Sequence, residues 1–289
     1  MLLAKDLGMS YGDIRVWDGL SVAFGGAGLT CIIGPNGVGK STLMRALDRL
    51  SSPDTGRVLL DGSDIGRMPR REVARRVAFV PQGSGEAFSM SVAEAVLMGR
   101  HPLSGFAARD RDLEIASRCL RMLGIEDLAG RRLDRLSSGQ RQKVLIARGL
   151  AQEPDVLLLD EPTSNLDPRH QLEVMRLLRD VAAAEGISIV AICHDVNVAA
   201  RFADRMVVLS RGRVVADGTP EEVVTPDMIR AVYGVECEVI AASGRPYMVY
   251  LTDDGRWPMH SRGRTPQMFK CELNLLVRRR HEVCSNCRL

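Results

Sequence analysis

The sequence predicts an α/β fold in which a mostly parallel β-sheet is covered by helices on both faces. Short apolar runs typical of buried strands alternate with helical segments along most of the chain, an order that favours parallel strands. One of these runs, Leu29 to Ile33, leads into a glycine-rich loop and then a helix. At 289 residues, the chain is long enough for one large domain with a sizeable buried core.

The periodicity of apolar residues assigns the elements in order. Residues 2–24 carry short β-like runs. A helix is predicted over 42–50, with one apolar face formed by Leu43, Ala46, Leu47 and Leu50. Later strands are predicted at 57–60, 77–80, 156–159, 187–193, 207–209 and 213–216. The last two form a closing hairpin, and a helix at 170–184 lies between two of the others.

The stretch between the strands at 77–80 and 156–159 has a different character. From about residue 89 to 135 the pattern is mostly helical, with a break predicted at 101–105. We therefore predict an inserted α-helical subdomain there. The whole domain is predicted to span 1–245, and residues 246–289 are predicted to form a poorly ordered C-terminal tail.

Charge and composition argue against several functions. The formal net charge is +3, but residues 262–289 alone carry +5, so the rest is slightly acidic and offers no basic stripe for nucleic acid. Aromatic residues make up 4%, too few to favour stacking on single strands. No apolar run approaches the roughly 20 residues that span a bilayer, and no signal peptide is recognisable. We expect a cytosolic chain that reaches a membrane only through a partner.

A phosphate-binding loop follows the strand at Leu29 to Ile33. It fits G-x-x-x-x-G-K-[ST], whose glycines let backbone N–H groups turn toward a phosphate at a helix N-terminus. Lys40 would reach the β- and γ-phosphates, and Ser41 would bind Mg²⁺. The predicted nucleotide-binding residues are Gly34, Pro35, Asn36, Gly37, Val38, Gly39, Lys40, Ser41 and Thr42. The alternative is a glycine turn without a ligand, and the loop alone does not separate a kinase, a GTPase, a helicase and a transport motor.

Two acids follow the predicted strand at 156–159. A strand of an open α/β sheet delivers its ligand-binding residues at its carboxyl end. Asp160 would hold Mg²⁺, and Glu161 would face the attacking water as general base. The alternative is that both acids are ordinary strand-end caps.

A third motif resembles that of a known protein family. Leu136-Ser-Ser-Gly-Gln140 resembles the LSGGQ signature of ATP-binding cassette (ABC) ATPases, and it precedes the two acids by a short helix. Other elements resemble that family and follow its order along the chain. They are an aromatic that stacks on adenine (Tyr11), a Q-loop glutamine (Gln82), a D-loop (Ser164-Asn-Leu-Asp167) and a switch histidine (His194). The resemblance covers roughly residues 2–240.

The resemblance implies a P-loop NTPase (RecA-like) core with an N-terminal antiparallel β subdomain. It implies ATP and Mg²⁺, with Glu161, His194 and Gln82 in catalysis and Gln82 as a further Mg²⁺ ligand beside Ser41 and Asp160. It also implies a head-to-tail dimer with a second copy, in which the signature covers nucleotide held by the facing subunit. The residues that it places on nucleotide in addition to the loop are Tyr11, Ser137, Gly139, Gln140 and Asp167.

One residue departs from the family pattern. Ser138 stands where the signature usually has its first glycine. Serine would be strained if the backbone there had a positive φ, and would otherwise add a hydrogen-bond donor. We expect activity to be retained. An inactive structural subunit is a further alternative, and the intact Lys40, Asp160, Glu161 and His194 argue against it.

The branch of the family is indicated by two segments. Val92 to Pro102, with its Gly99-Arg100-x-Pro102 element, and Tyr233 to Val239 resemble ATPases of importers for ferric siderophores, haem and cobalamin. That branch implies separate transmembrane permease subunits, an external substrate-binding protein and a peripheral position on the cytoplasmic face of the inner membrane. The alternative for these two segments is that they are generic subdomain helices and a β-strand. The alternative function is that of a soluble ABC ATPase that acts outside transport, on nucleic acid or as a regulator.

The tail holds four candidate metal ligands in a short span. Cys271, His281, Cys284 and Cys287 form C-x9-H-x2-C-x2-C, a spacing that matches no established zinc pattern. The alternatives are a metal site and a poorly packed tail with spare thiols.

Overall fold

A computed structural model describes residues 1–83, 90–104 and 108–251, and Met1–Tyr250 form one compact unit. The strands are β1 (Leu2–Tyr11), β2 (Ile14–Phe24), β3 (Gly28–Ile33), β4 (Thr55–Leu60), β5 (Ser63–Asp64), β6 (Val77–Val80), β7 (Val156–Leu159), β8 (Ser188–Ile192), β9 (Arg205–Ser210), β10 (Arg213–Gly218), β11 (Cys237–Ala242) and β12 (Arg245–Tyr250). The helices are α1 (Lys40–Leu47), α2 (Arg70–Ala74), α3 (Val92–Leu97), α4 (His101–Ser104), α5 (Asp110–Met122), α6 (Ser138–Ala151), α7 (Pro168–Glu185), α8 (Val196–Phe202), α9 (Pro220–Val223) and α10 (Pro226–Tyr233).

The central sheet has six strands in the order β10-β9-β3-β8-β7-β6. Its neighbours from β9 to β6 pair in parallel, and β10 closes the edge as the predicted hairpin with β9. The α/β prediction is therefore confirmed. Because parallel strands point the same way, β3, β7 and β8 bring the residues that follow them to one edge, among them Gly34, Asp160 and His194.

A second sheet is antiparallel and has the order β2-β1-β4-β5, as predicted for the N-terminal subdomain. Its buried side chains, including Phe24, pack with α1 against one face of the central sheet. The helical subdomain belongs to the apolar cluster on the other face. Alternate residues of β3 point to opposite faces of the central sheet. Ile32 packs with the antiparallel sheet and α1, whereas Cys31 and Ile33 belong to the cluster that includes the helical subdomain.

The inserted subdomain is built mainly from α3, α5 and α6, which pack on one another. Gly99 lies against the end of α6, where an added Cβ would be 2.1 Å from the carbonyl oxygen of Arg148. The next side chain, Arg100, is 4% exposed and donates to Asp112 Oδ1 at 2.9 Å, to the Ala151 carbonyl at 2.7 Å and to Glu153 Oε2 at 2.9 Å. The two residues thus anchor α3 to α5 and α6.

Two local predictions are wrong. His101–Ser104 forms the short helix α4 rather than a break, because Pro102 is compatible with the first turn of a helix; residues 105–107 lie outside the described residues. Helix α1 ends at Leu47, and Arg49 has a φ of 57°. Leu50 therefore leaves the apolar face of α1 and is 61% exposed.

The C-terminal part of the compact unit ends in a hairpin of β11 and β12. The amide of Asn197 on α8 exchanges two hydrogen bonds with the backbone of Met248, at 2.7 and 3.0 Å. The unit therefore runs to Tyr250, five residues past the domain end predicted at 245. The candidate metal ligands Cys271, His281, Cys284 and Cys287 lie outside the described residues. Within those residues, no helix combines the length and apolar character needed to cross a membrane.

Candidate nucleotide-binding site

The phosphate loop joins β3 to α1 with little room for side chains. Gly34 has a φ of 145°, and a Cβ there would lie 2.1 Å from the carbonyl oxygen of Leu209. Gly39 has a φ of 95°, and a Cβ there would lie 2.5 Å from the indole nitrogen of Trp17. Glycine is therefore required at both positions by backbone conformation and by space.

Lys40 is the first residue of α1, and its side chain folds back on the loop. Its Nζ donates to the carbonyl of Gly34 at 2.7 Å and to that of Pro35 at 2.8 Å. Burial lowers the pKa of Lys40, although the carboxylates of Glu161 and Asp160 oppose that shift. The ammonium is thus held at the loop by neutral acceptors, which phosphate oxygens can replace.

Ser41 and Asp160 meet across the edge of the sheet. The Ser41 hydroxyl donates to Asp160 Oδ1 at 2.9 Å, although the two residues are far apart in sequence. Asp160 is buried at the end of β7, and burial raises its pKa, while the Ser41 hydrogen bond partly opposes the shift. A hydroxyl and a carboxylate oxygen side by side fit a Mg²⁺ ion, which prefers oxygen ligands, beside a phosphate.

Glu161 lies one residue on, with a φ of 52° that turns its side chain into the opening. Its Oε1 is 2.5 Å from Nε2 of His194, and its Oε2 accepts a hydrogen bond from the amide of Gln82. Backbone strain of this kind persists where the surroundings over-determine it and is frequent at functional sites. The three side chains therefore form one polar group at the end of β7.

Glu161 and His194 face one cleft of about 310 Å³, whereas Gln82 and Asp160 are not among its lining residues. The predicted residues that line it are Tyr11, Asn36, Gly37, Gly39, Lys40, Ser41, Thr42, Glu161 and His194. Tyr11 is 51% exposed at the mouth, where β1 turns into β2. Ile14 and Val16 also line the cleft. Sequence reasoning missed them, although their alternation after the turn is a signal that both side chains point to one face.

The signature, Leu136 to Gln140, does not line this cleft. Ser137 and Gln140 form a capping box at the start of α6, and Asp167 caps α7, but none of these three lines the cleft described above. Ser138 is the first residue of α6 and does not have a positive φ. The backbone strain considered for this serine is therefore absent. Gly139 and Asp167 are linked instead through His170, which the sequence reasoning did not single out.

Comparison with known proteins gives a consistent result. The sequence pattern of the ABC transporter family matches residues 18–164. The ferric enterobactin transport ATP-binding protein FepC of Escherichia coli is 40% identical over 254 residues, which cover 86% of this chain and 94% of FepC. The hemin import ATP-binding protein HmuV of Bordetella avium is 39% identical over 246 residues, which cover 83% of this chain and 94% of HmuV.

Solved structures are similar over most of the chain. A chain of an ABC transporter of proposed metal-chelate type, in an inward-facing conformation, has a TM-score of 0.75 at 28% identity and covers 88% of this chain and 98% of its own length. The dimeric bacterial cassette MJ0796 has a TM-score of 0.67 at 28% identity and covers 76% of this chain and 98% of its own length.

Proposed function

Because the chain belongs to the ABC transporter family and has its P-loop NTPase fold, we propose that it is the ATP-hydrolysing subunit of an importer with a separate permease. One observation carries the proposal. A single cleft at the carboxyl edge of the parallel sheet brings together a buried ammonium, a hydroxyl and a carboxylate–imidazole pair, from Lys40, Ser41, Glu161 and His194. Phosphoryl transfer is catalysed mainly by such positioning and charge stabilisation.

The proposed reaction assigns a proton acceptor to the cleft. A water oxygen attacks the γ-phosphorus of ATP, and Glu161 accepts a proton from that water. The bond from the γ-phosphorus to the bridging oxygen breaks, and ADP leaves with that oxygen. Lys40 exchanges its two carbonyl partners for phosphate oxygens. His194 would donate to the γ-phosphate, while Gln82 keeps the Glu161 carboxylate directed at the water.

Mg²⁺ is proposed to be held by Ser41 and Asp160, with Gln82 as a third oxygen ligand. Bound there, the ion would neutralise charge that develops on the β- and γ-phosphates. The Ser41–Asp160 hydrogen bond supports the site, because it already brings the two oxygen ligands to 2.9 Å from each other. At the mouth, Tyr11 is proposed to stack on the adenine.

The signature is proposed to act on a second copy of the chain. Ser137 and Gln140 cap the start of α6, and neither residue lines the cleft of its own chain. The similar cassette MJ0796 is dimeric. In a head-to-tail dimer, Ser137, Gly139 and Gln140 would cover the partner's nucleotide, with Asp167 beside them. Bound ATP would then hold the dimer closed, and hydrolysis would release it.

The cargo is proposed to be a metal chelate: an iron siderophore, haem or a cobalamin. Relatives at about 40% identity carry ferric enterobactin and hemin in their names, and this supports the assignment. The permease would hold the chain at the cytoplasmic face of the inner membrane, and an external binding protein would deliver the chelate. No nucleic-acid partner is proposed.

Uptake of labelled chelates tests this function. In the organism that encodes the chain, Glu161→Gln should reduce uptake of a ferric siderophore, haem or cobalamin to background, because the driving hydrolysis is lost. Glu238→Gln removes the same charge from an exposed position on β11 and should leave uptake unchanged. Normal uptake of all three chelates in Glu161→Gln cells would contradict the cargo assignment.

A further inference from the structure

His170 lies in the first turn of α7 and binds the D-loop aspartate twice. Its backbone N–H donates to Asp167 Oδ1 at 3.0 Å, and its ring Nδ1 is 2.6 Å from Asp167 Oδ2. These two bonds, the backbone bond first, lower the pKa of Asp167. The backbone bond alone makes Asp167 the N-cap of α7. The contact with the ring is not needed for that cap.

The other edge of the same ring lies against the signature. A Cβ at Gly139 would be 2.8 Å from Cδ2 and 3.2 Å from Cγ of His170. Gly139 does not have a positive φ, so its backbone conformation is open to any residue. A Cβ at this position would displace the imidazole from its present place between the signature and Asp167.

The imidazole thus joins two segments that are 28 positions apart in the chain, Gly139 and Asp167. Both face the partner subunit in the proposed dimer. We infer that His170 is a positioning residue that fixes the signature helix to the D-loop, so that both segments reach the partner's nucleotide as one unit. This inference rests on the proposed function, because the two segments act together only in the ATP-bound dimer.

The test compares His170→Ala and His170→Asn with Arg169→Ala, an exposed neighbour on the same turn. His170→Ala should lower kcat by about tenfold or more, because a misplaced group of this kind commonly has such an effect. KM for ATP should change little, since the phosphate loop is intact. His170→Asn keeps a donor for Asp167 but not the ring edge, so its kcat should be intermediate. Arg169→Ala should match the wild type.

Dissociation of the ATP-bound dimer separates positioning from general stability. In a Glu161→Gln background, this dimer should dissociate faster when His170 is changed to alanine, and His170→Asn should restore part of the wild-type lifetime. Wild-type kcat together with wild-type dimer dissociation in folded His170→Ala would overturn the inference. If the chain with His170 intact forms no ATP-bound dimer, the proposed function fails first, and the two failures are thereby distinguished.

Discussion

Arg100 and Lys40 are both buried cations, and they have different kinds of partner. The guanidinium of Arg100 is surrounded by two carboxylates and a carbonyl that belong to the helical subdomain. The ammonium of Lys40 donates to two carbonyls of its own loop and faces a cleft. A buried charge with carboxylate partners inside the chain holds the fold together, whereas one with exchangeable neutral partners is ready for an anionic ligand.

The difference changes the meaning of a sequence motif. The Gly99-Arg100-x-Pro102 element resembles the metal-chelate branch, yet its glycine and arginine serve packing within the subdomain. The element therefore says nothing direct about a cargo. The cargo proposal is supported instead by similarity over most of the chain to ATP-binding proteins named for ferric enterobactin transport and hemin import.

The largest expected effect is that of Lys40→Ala. Hydrolysis of ATP should fall by about 10³-fold or more, because the charge that stabilises the transferred phosphoryl group is removed. The unfolding midpoint in urea should stay close to that of the wild type, since the lost partners are loop carbonyls. Steady-state hydrolysis, binding of a fluorescent ATP analogue and urea unfolding measure the three quantities. Unchanged ATP affinity would remove the phosphate-loop assignment.

A mixture of variants sharpens this result. Ser137→Arg should bind ATP in its own loop but hydrolyse little, because a bulky cation would block the signature. Mixed with Lys40→Ala, it can form one site from an intact loop and an intact signature. The mixture should therefore recover part of the wild-type rate, whereas each variant alone should not. An inactive mixture would argue against completion of the site by a second copy.

Arg100→Ala should show the opposite pattern. It leaves the buried carboxylate of Asp112 without its cation, whereas Glu153 keeps Arg118 at 3.5 Å, and breaking a buried pair in this way costs about 3–5 kcal/mol. Urea unfolding should report that loss, while the folded fraction should bind ATP with wild-type affinity. Arg230→Ala breaks an exposed ion pair with Glu236 and serves as the control with little change. A stable Arg100→Ala protein with weakened ATP binding would reverse the comparison.

The effect that is confined to neutral and alkaline pH concerns Asp48, at the end of α1. Burial raises the pKa of its carboxyl from 3.8 to about 7. Because the folded chain holds this proton more tightly than the unfolded chain, ionisation destabilises the fold as the pH rises from about 4 to 7. Asp48→Asn should therefore raise the free energy of unfolding more at pH 8 than at pH 4, by up to about 4 kcal/mol, as measured by urea unfolding at both pH values. An equal shift at both pH values would contradict this.

The sequence predicted the parts of the molecule that depend on local patterns. The strands β3, β7 and β8 with the loops after them follow from apolar runs, and the phosphate loop follows from glycine spacing. The prediction that Leu50 belongs to α1 was wrong because the apolar pattern continues past the residue where the helix ends. The departure at Ser138 could be resolved only by its position as the first helical residue of α6.

The rest depended on contacts between distant segments. The alternation of Ile14 and Val16 places them on one face of a strand but does not indicate that this face meets Glu161. No local pattern indicates that Arg100 would reach Asp112 and Glu153. The ring of His170 against Gly139 is of the same kind. Such contacts are set by packing of helices and strands, which short-range periodicity does not encode.

In the proposed dimer, the cleft becomes an ATPase site when a second copy closes over bound ATP. Sedimentation of Glu161→Gln with and without ATP measures this closure, because the variant can bind nucleotide but lacks the proposed base. We expect a monomer of about 31.7 kDa without ATP and a species of twice that mass with it, together with little hydrolysis. A monomer in saturating ATP, or hydrolysis at the wild-type rate, would rule out this dimer.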